Sequence, residues 1–138
     1  MKVPLLSPYA EFMGLRLDGA VVVMPFRPML TGVPGILHGD VITALLEIAA
    51  GIAAQGLIPA GAMVKPISTT TDFYRAGMAE ATYAEARILK AGRRILNLGA
   101  ECWQQDRSKP IAAARVNFLV LAPEVPAGEQ QQETPAGP

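Results

Sequence analysis

Leu37-His38-Gly39-Asp40-Val41-Ile42-Thr43-Ala44-Leu45-Leu46-Glu47-Ile48-Ala49-Ala50-Gly51-Ile52-Ala53-Ala54-Gln55 reads, from Gly39 to Gln55, as one buried helix, and the rest of the chain is organised around it. The run is long and rich in Ala, Leu and Ile, and Gly56 and Pro59 punctuate its end, which favours a helix over a strand. At about 100° per residue, Val41, Ile42, Leu45, Leu46, Ile48, Ala49, Ile52 and Ala53 share one broad side suited to a sheet. The opposite stripe carries Asp40, Thr43, Ala44, Glu47, Gly51 and Ala54. That stripe is polar or small, and too narrow for an ordinary solvated face. Glu47 is the only charge between Asp40 and Lys65. Its carboxylate must reach water at the helix edge, find a partner, or sit in a cleft. His38 reads first as a helix-entry residue making a local hydrogen bond. Asp40 reads as a first-turn acid favoured by the helix dipole.

Before the helix, residues 13–18 and 20–25 flank Asp18-Gly19, a hairpin dipeptide, and a Pro/Gly-rich loop spans 27–37. After it, strands are expected over 63–75, 79–90, 94–104 and 111–121. Leu96, Leu98, Ala100 and Cys102 alternate onto one face, as do Ala112, Ala114, Val116, Phe118 and Val120. Residues 79–90 are rich in Ala and Glu, yet Gly77 and Gly92 bracket them and their neighbours are strands. The expected class is α+β, a long antiparallel sheet wrapped around one central buried helix. Residues 1–122 form one domain, and the segment 123–138, with four prolines, three glutamates and no Lys or Arg, is expected to be a disordered tail.

Composition narrows the function classes. The chain has 138 residues, room for one core. Its apolar share of 51% against 17% charged suggests burial against another subunit. Twelve basic residues balance twelve acidic ones, so neither nucleic acid nor an anionic membrane is an expected partner. A single His and a single Cys exclude a two-histidine metal site and an intrachain disulfide. No metal site is expected. The most apolar stretch, 41–54, is interrupted by Glu47 and falls short of the roughly 20 residues of a membrane span. Prolines break the start before a signal sequence could form, and a cytoplasmic protein is expected.

The segment from Leu37 to Glu47 resembles the HGG-plus-acid signature of hotdog-fold acyl-CoA thioesterases, with the acid nine residues after the histidine. The nearest branches are the phenylacetate-degradation-type and 4-hydroxybenzoyl-CoA thioesterases. Thr70-Thr71-Asp72-Phe73-Tyr74-Arg75-Ala76 resembles the family's strand ending in an aromatic residue and Arg, and Gly92-Arg93 its next turn. The resemblance covers about residues 12–121. It implies hydrolysis of a small or medium acyl-CoA, aromatic ones included, with Glu47 as base or nucleophile and Gly39 and His38 at the helix entry. It also implies a dimer, often paired into a tetramer, with active sites at the subunit interface. Coenzyme A enters as part of the substrate and no cofactor is expected. Three positions depart from the pattern: Asp40 replaces the second glycine, Gly32 the usual Asn or Gln, and Gly51 a Ser or Thr found in some branches. Gly32 and Asp40 suit a non-catalytic acyl-thioester binding module as an alternative. Val33-Pro34-Gly35-Ile36-Leu37 gives a fainter resemblance to hotdog dehydratases.

The chemistry follows from helix geometry. Backbone N–H groups at the helix start are unpaired and the dipole is positive there, so the Gly39 amide suits a thioester oxyanion, a contact worth roughly 3 kcal/mol. Glu47 would activate water or attack the carbonyl. Eight residues of helix span roughly 12 Å, too far for Gly39 and Glu47 of one chain to flank one carbonyl. Two subunits with helices side by side would supply one group each. Asp40, Thr43, Thr31, Arg75 and Arg93 are candidate substrate-binding residues. Lys90 and Arg94 join the two arginines as candidates for the coenzyme A phosphates, although ordinary turn charges explain all four.

Overall fold

The computed structural model describes residues 7–123; the tail expected over 123–138 therefore lies outside the described residues, apart from its first. A short helix α1 (Pro8–Phe12) leads into the hairpin β1 (Arg16–Asp18) and β2 (Val21–Met24). Gly19 takes the positive φ, +60°, that the two-residue turn demands. The loop that follows contains a 3-10 turn (Pro28–Leu30), and α2 spans Gly39–Gln55. Four long strands follow: β3 (Met63–Phe73), β4 (Thr82–Ala91), β5 (Ile95–Trp103) and β6 (Ala112–Leu121). With β1 and β2 they form one six-stranded antiparallel sheet in the order β1-β2-β4-β5-β6-β3. The sheet wraps α2, which packs on β2 through β6. This is the hotdog arrangement.

The alternating residues do what their pattern requires. Leu96, Leu98, Ala100, Cys102, Ala112, Ala114, Val116 and Phe118 all face the helix and are buried. Residues 82–91 are a strand despite their Ala and Glu, because β2 and β5 pair with both edges and Thr82 and Ala84 fill the core. Strand ends differ from expectation. Residues 74–75 and 79–81 leave the ladder, and α1 was not foreseen because five residues carry no readable period. One helix position also corrects the expectation: Ala54 is buried, not outward. The Gln55 side chain bonds the Ala62 carbonyl at 3.2 Å, so the returning chain folds over the last turn of α2.

β3 has a register shift between Pro66 and Ser68 against β6. Such a bulge reverses which side chains point inward. Val64 faces the helix before it; Thr69 and Thr71 face the helix after it, leaving Thr70 and Asp72 outside. β3 is also the sheet edge, which tolerates Pro66.

Candidate active site

The entry to α2 is built by His38. Its backbone is extended and its Nδ1 accepts the Asp40 N–H at 3.0 Å, the local hydrogen bond expected of it. Its carbonyl accepts the Val41 and Ile42 amides at 3.1 and 3.2 Å. The first-turn donor left without a protein acceptor among the described residues is the Gly39 N–H. A Cβ on Gly39 would lie 3.5 Å from the Phe73 ring, so this amide opens beside an aromatic wall. The cleft there is about 370 Å³ and includes Leu37, Ile42, Phe73, Tyr74 and Arg75.

Two turns along α2, Glu47 is half-buried and its Oε2 accepts the Thr69 hydroxyl at 2.9 Å. One turn earlier, the Thr43 hydroxyl donates to that of Thr71 at 3.2 Å. Thr43 and Glu47 stand one turn apart on the helix, and Thr69 and Thr71 stand two residues apart on β3, so the two elements join polar group to polar group. Glu47 opens into a second cleft, of about 480 Å³, with Asp40, Thr43, Ala44 and Ile48 from α2 and Ser7 and Tyr9 from α1. α1 is anchored there by buried Ala10 and by Arg27, whose Nη1 donates to the Phe12 carbonyl at 2.9 Å.

Thus Gly39 and Glu47, though on one helix, line different clefts of the protomer. Asp40 and Thr43 share the cleft of Glu47, and Arg75 shares that of Gly39, its Nε bonded to the Pro110 carbonyl at 3.3 Å. Arg93 sits elsewhere. With Lys90, Arg94 and Asn97 it borders a basic cleft of about 550 Å³ at the opposite end of the strands. Thr31 turns away, its hydroxyl donating to the Pro28 carbonyl at 2.7 Å. A Cβ at Gly32 would come within 3.2 Å of the His38 ring, which accounts for glycine at that position. The sequence reading missed Thr69, Thr71, Ser7 and Tyr9. The Thr-rich run of β3 was the available signal for the first two.

A sheet wrapped around one helix, with a free amide at the helix start and a carboxylate two turns on, defines a hotdog protein with a polar helix stripe. The model of the thioesterase superfamily matches residues 34–111, more than half of the chain, and the protein belongs to that superfamily. It is 33% identical over 87 residues to Rv1847 of Mycobacterium tuberculosis (strain H37Rv), named as a candidate esterase, a match covering 61% of this chain. That match spans 62% of the relative's length. Among solved structures, the conserved protein PA5202 of Pseudomonas aeruginosa is 28% identical, with a TM-score of 0.76 over 85% of this chain and 96% of that one. The BH2602 protein of Bacillus halodurans, solved with CoA, shares the fold at 21% identity, with a TM-score of 0.77 over 84% and 77% of the two chains. Among the described residues, no helix is long and apolar enough to cross a membrane.

Proposed function

We propose that the protein is a thioesterase that hydrolyses a small or medium acyl-CoA to the free acid and coenzyme A. The observation that carries this is a Gly39 N–H with no protein acceptor among the described residues, on the same helix as a half-buried Glu47 held by Thr69. The amide stabilises the charge that develops on the thioester oxygen, and Glu47 serves as base or nucleophile. Because the two groups line different clefts, a complete site draws Gly39 from one subunit and Glu47 from another. The edge strand β3 supports a second copy, since Met63, Ile67 and Phe73 are exposed on a strand paired on one side alone, with β6, among the described residues. Coenzyme A as the leaving group is supported by the Bacillus halodurans neighbour solved with CoA. The aromatic wall of Phe73 and Tyr74 suits an aromatic acyl group. The reaction uses no resident cofactor or metal, and the protein acts in the cytoplasm.

Glu47→Gln tests the reading. It keeps the shape and removes the basicity, so thiol release from short, long and aromatic acyl-CoAs falls at least about a hundredfold. Binding of a non-hydrolysable acyl-CoA is retained. Unchanged turnover would place Glu47 at a mere solvent edge. The Thr31–Pro28 bond, which ties up the hydroxyl next to Gly32 in sequence, favours a non-catalytic binding module as the second reading. That reading requires no turnover in the wild type across the panel.

A further inference from the structure

The short helix α1 has two unlike faces. Ala10 and Met13, three residues apart, are buried in the core. Tyr9 and Phe12, also three apart, are exposed with their rings stacked, the centroids 6.1 Å apart. Both ends of the helix are fixed. Ser7 caps the start, its Oγ accepting the Ala10 N–H at 3.2 Å. At the other end the Arg27 guanidinium, bonded to the Phe12 carbonyl, lies within 2.8 Å of where a Cβ on Gly14 would stand. Gly14 is required there twice, by that contact and by its φ of +71°. Ser7 and Tyr9 thus give the Glu47 cleft a fixed wall, and Asp40, Thr43 and Glu47 of α2 line the same cleft.

This cleft also has a sign. Asp40 and Glu47 supply carboxylates, and no Lys or Arg borders it among the described residues. The Asp40 side chain is 94% exposed, and the one basic group within 4 Å of it among the described residues is the His38 Nδ1, at 3.8 Å. That nitrogen accepts the Asp40 N–H and so carries no proton, which leaves the Asp40 charge uncompensated. The Gly39 cleft, by contrast, carries Arg75.

We infer that, in the thioesterase proposed above, Tyr9 and Asp40 select the acyl group. The Tyr9 ring stops its far end, and the Asp40 carboxylate turns away acyl groups that end in a carboxylate of their own. The preferred substrate class is a short acyl group uncharged at its far end. Charge decides which arm of the substrate enters. The phosphates of coenzyme A are repelled by two carboxylates and drawn toward the side of Arg75, so the acyl arm takes the Glu47 cleft. Its first atoms, beside Gly39, still meet the Phe73 ring. Glycine at position 40, as in the thioesterase pattern, would leave the cleft without this filter.

A straight-chain series of acyl-CoAs, with valeryl-CoA set against glutaryl-CoA, tests both residues. Tyr9→Ala should move the peak of kcat/KM to longer chains and Tyr9→Trp to shorter ones, by roughly 10–200-fold for each methylene that gains or loses its room. Asp40→Asn should narrow the preference for valeryl over glutaryl at least about threefold at low salt, and added salt should narrow it more in the wild type than in the variant. A length profile that stays put in both folded Tyr9 variants, or an unchanged valeryl-to-glutaryl ratio in Asp40→Asn, overturns the inference. Should the wild type hydrolyse no acyl-CoA, the thioesterase reading alone fails. The same profiles are then read as Kd values for thioether analogues of these acyl-CoAs, which bind without being cleaved.

Discussion

A hydroxyl donated to one carboxylate oxygen fixes the rotamer and leaves the other oxygen to face the cleft. Thr69 does this for Glu47 at 2.9 Å. A hydrogen bond to a charged group is worth about 1.5–3 kcal/mol, so Thr69→Val lowers kcat at least about tenfold with little change in KM. Thr69→Ser, which restores the donor, recovers most of the rate. A rise in KM alone would mean that Thr69 contacts substrate and does not position Glu47. Gly51, one turn beyond Glu47, offers no such hydroxyl; a Cβ there would meet the Phe118 ring at 3.8 Å. Glu47 was legible in the sequence as a lone charge on an apolar helix. Thr69 was not, because simple alternation from Val64 points residue 69 outward. The bulge after Pro66 turns it in, and the change of phase falls in Ser68-Thr69-Thr70-Thr71, where no apolar residue is present to show it.

Among the elements, those with long and strict periods were readable. α2 begins at Gly39 and ends at Gln55 as its caps and punctuation indicate, and β5 and β6 bury the predicted faces. Strand termini and α1 depend on contacts distant in sequence, such as Arg27 with Phe12, and were not readable. The same helix presents Gly39 and Glu47 to separate clefts, which sets up a complementation test. Gly39→Leu pushes against the Phe73 ring and blocks the amide, and Glu47→Gln removes the base. Each chain is inactive as a homodimer. After subunit exchange, half the dimers are mixed with one intact site each, so activity returns to about a quarter of the wild-type rate. No recovery, with exchange verified by mass, would show that one chain builds a whole site.

The stability of the whole molecule carries its own pH signature. Burial pushes the Cys102 thiol from an ordinary 9.0 up to about 12, against a smaller opposing effect of its contact with the Ala112 carbonyl. Below pH 9 the thiol is protonated both folded and unfolded. Above it the unfolded chain loses that proton while the folded chain holds it, so stability declines by up to about 1.4 kcal/mol per pH unit, until the pH passes the folded value. The melting temperature therefore falls more steeply between pH 9 and about 11 in the wild type than in Cys102→Ala. Equal slopes would show that this thiol does not govern the alkaline limit. The division of one helix between two clefts has a further consequence, in genetics. On the proposed shared site, an allele altered at Glu47 alone would spare one site in each dimer it forms with a normal chain, and would behave as recessive. An allele altered at both Gly39 and Glu47 would damage one half of each site in such a dimer, and would silence the normal chain along with itself.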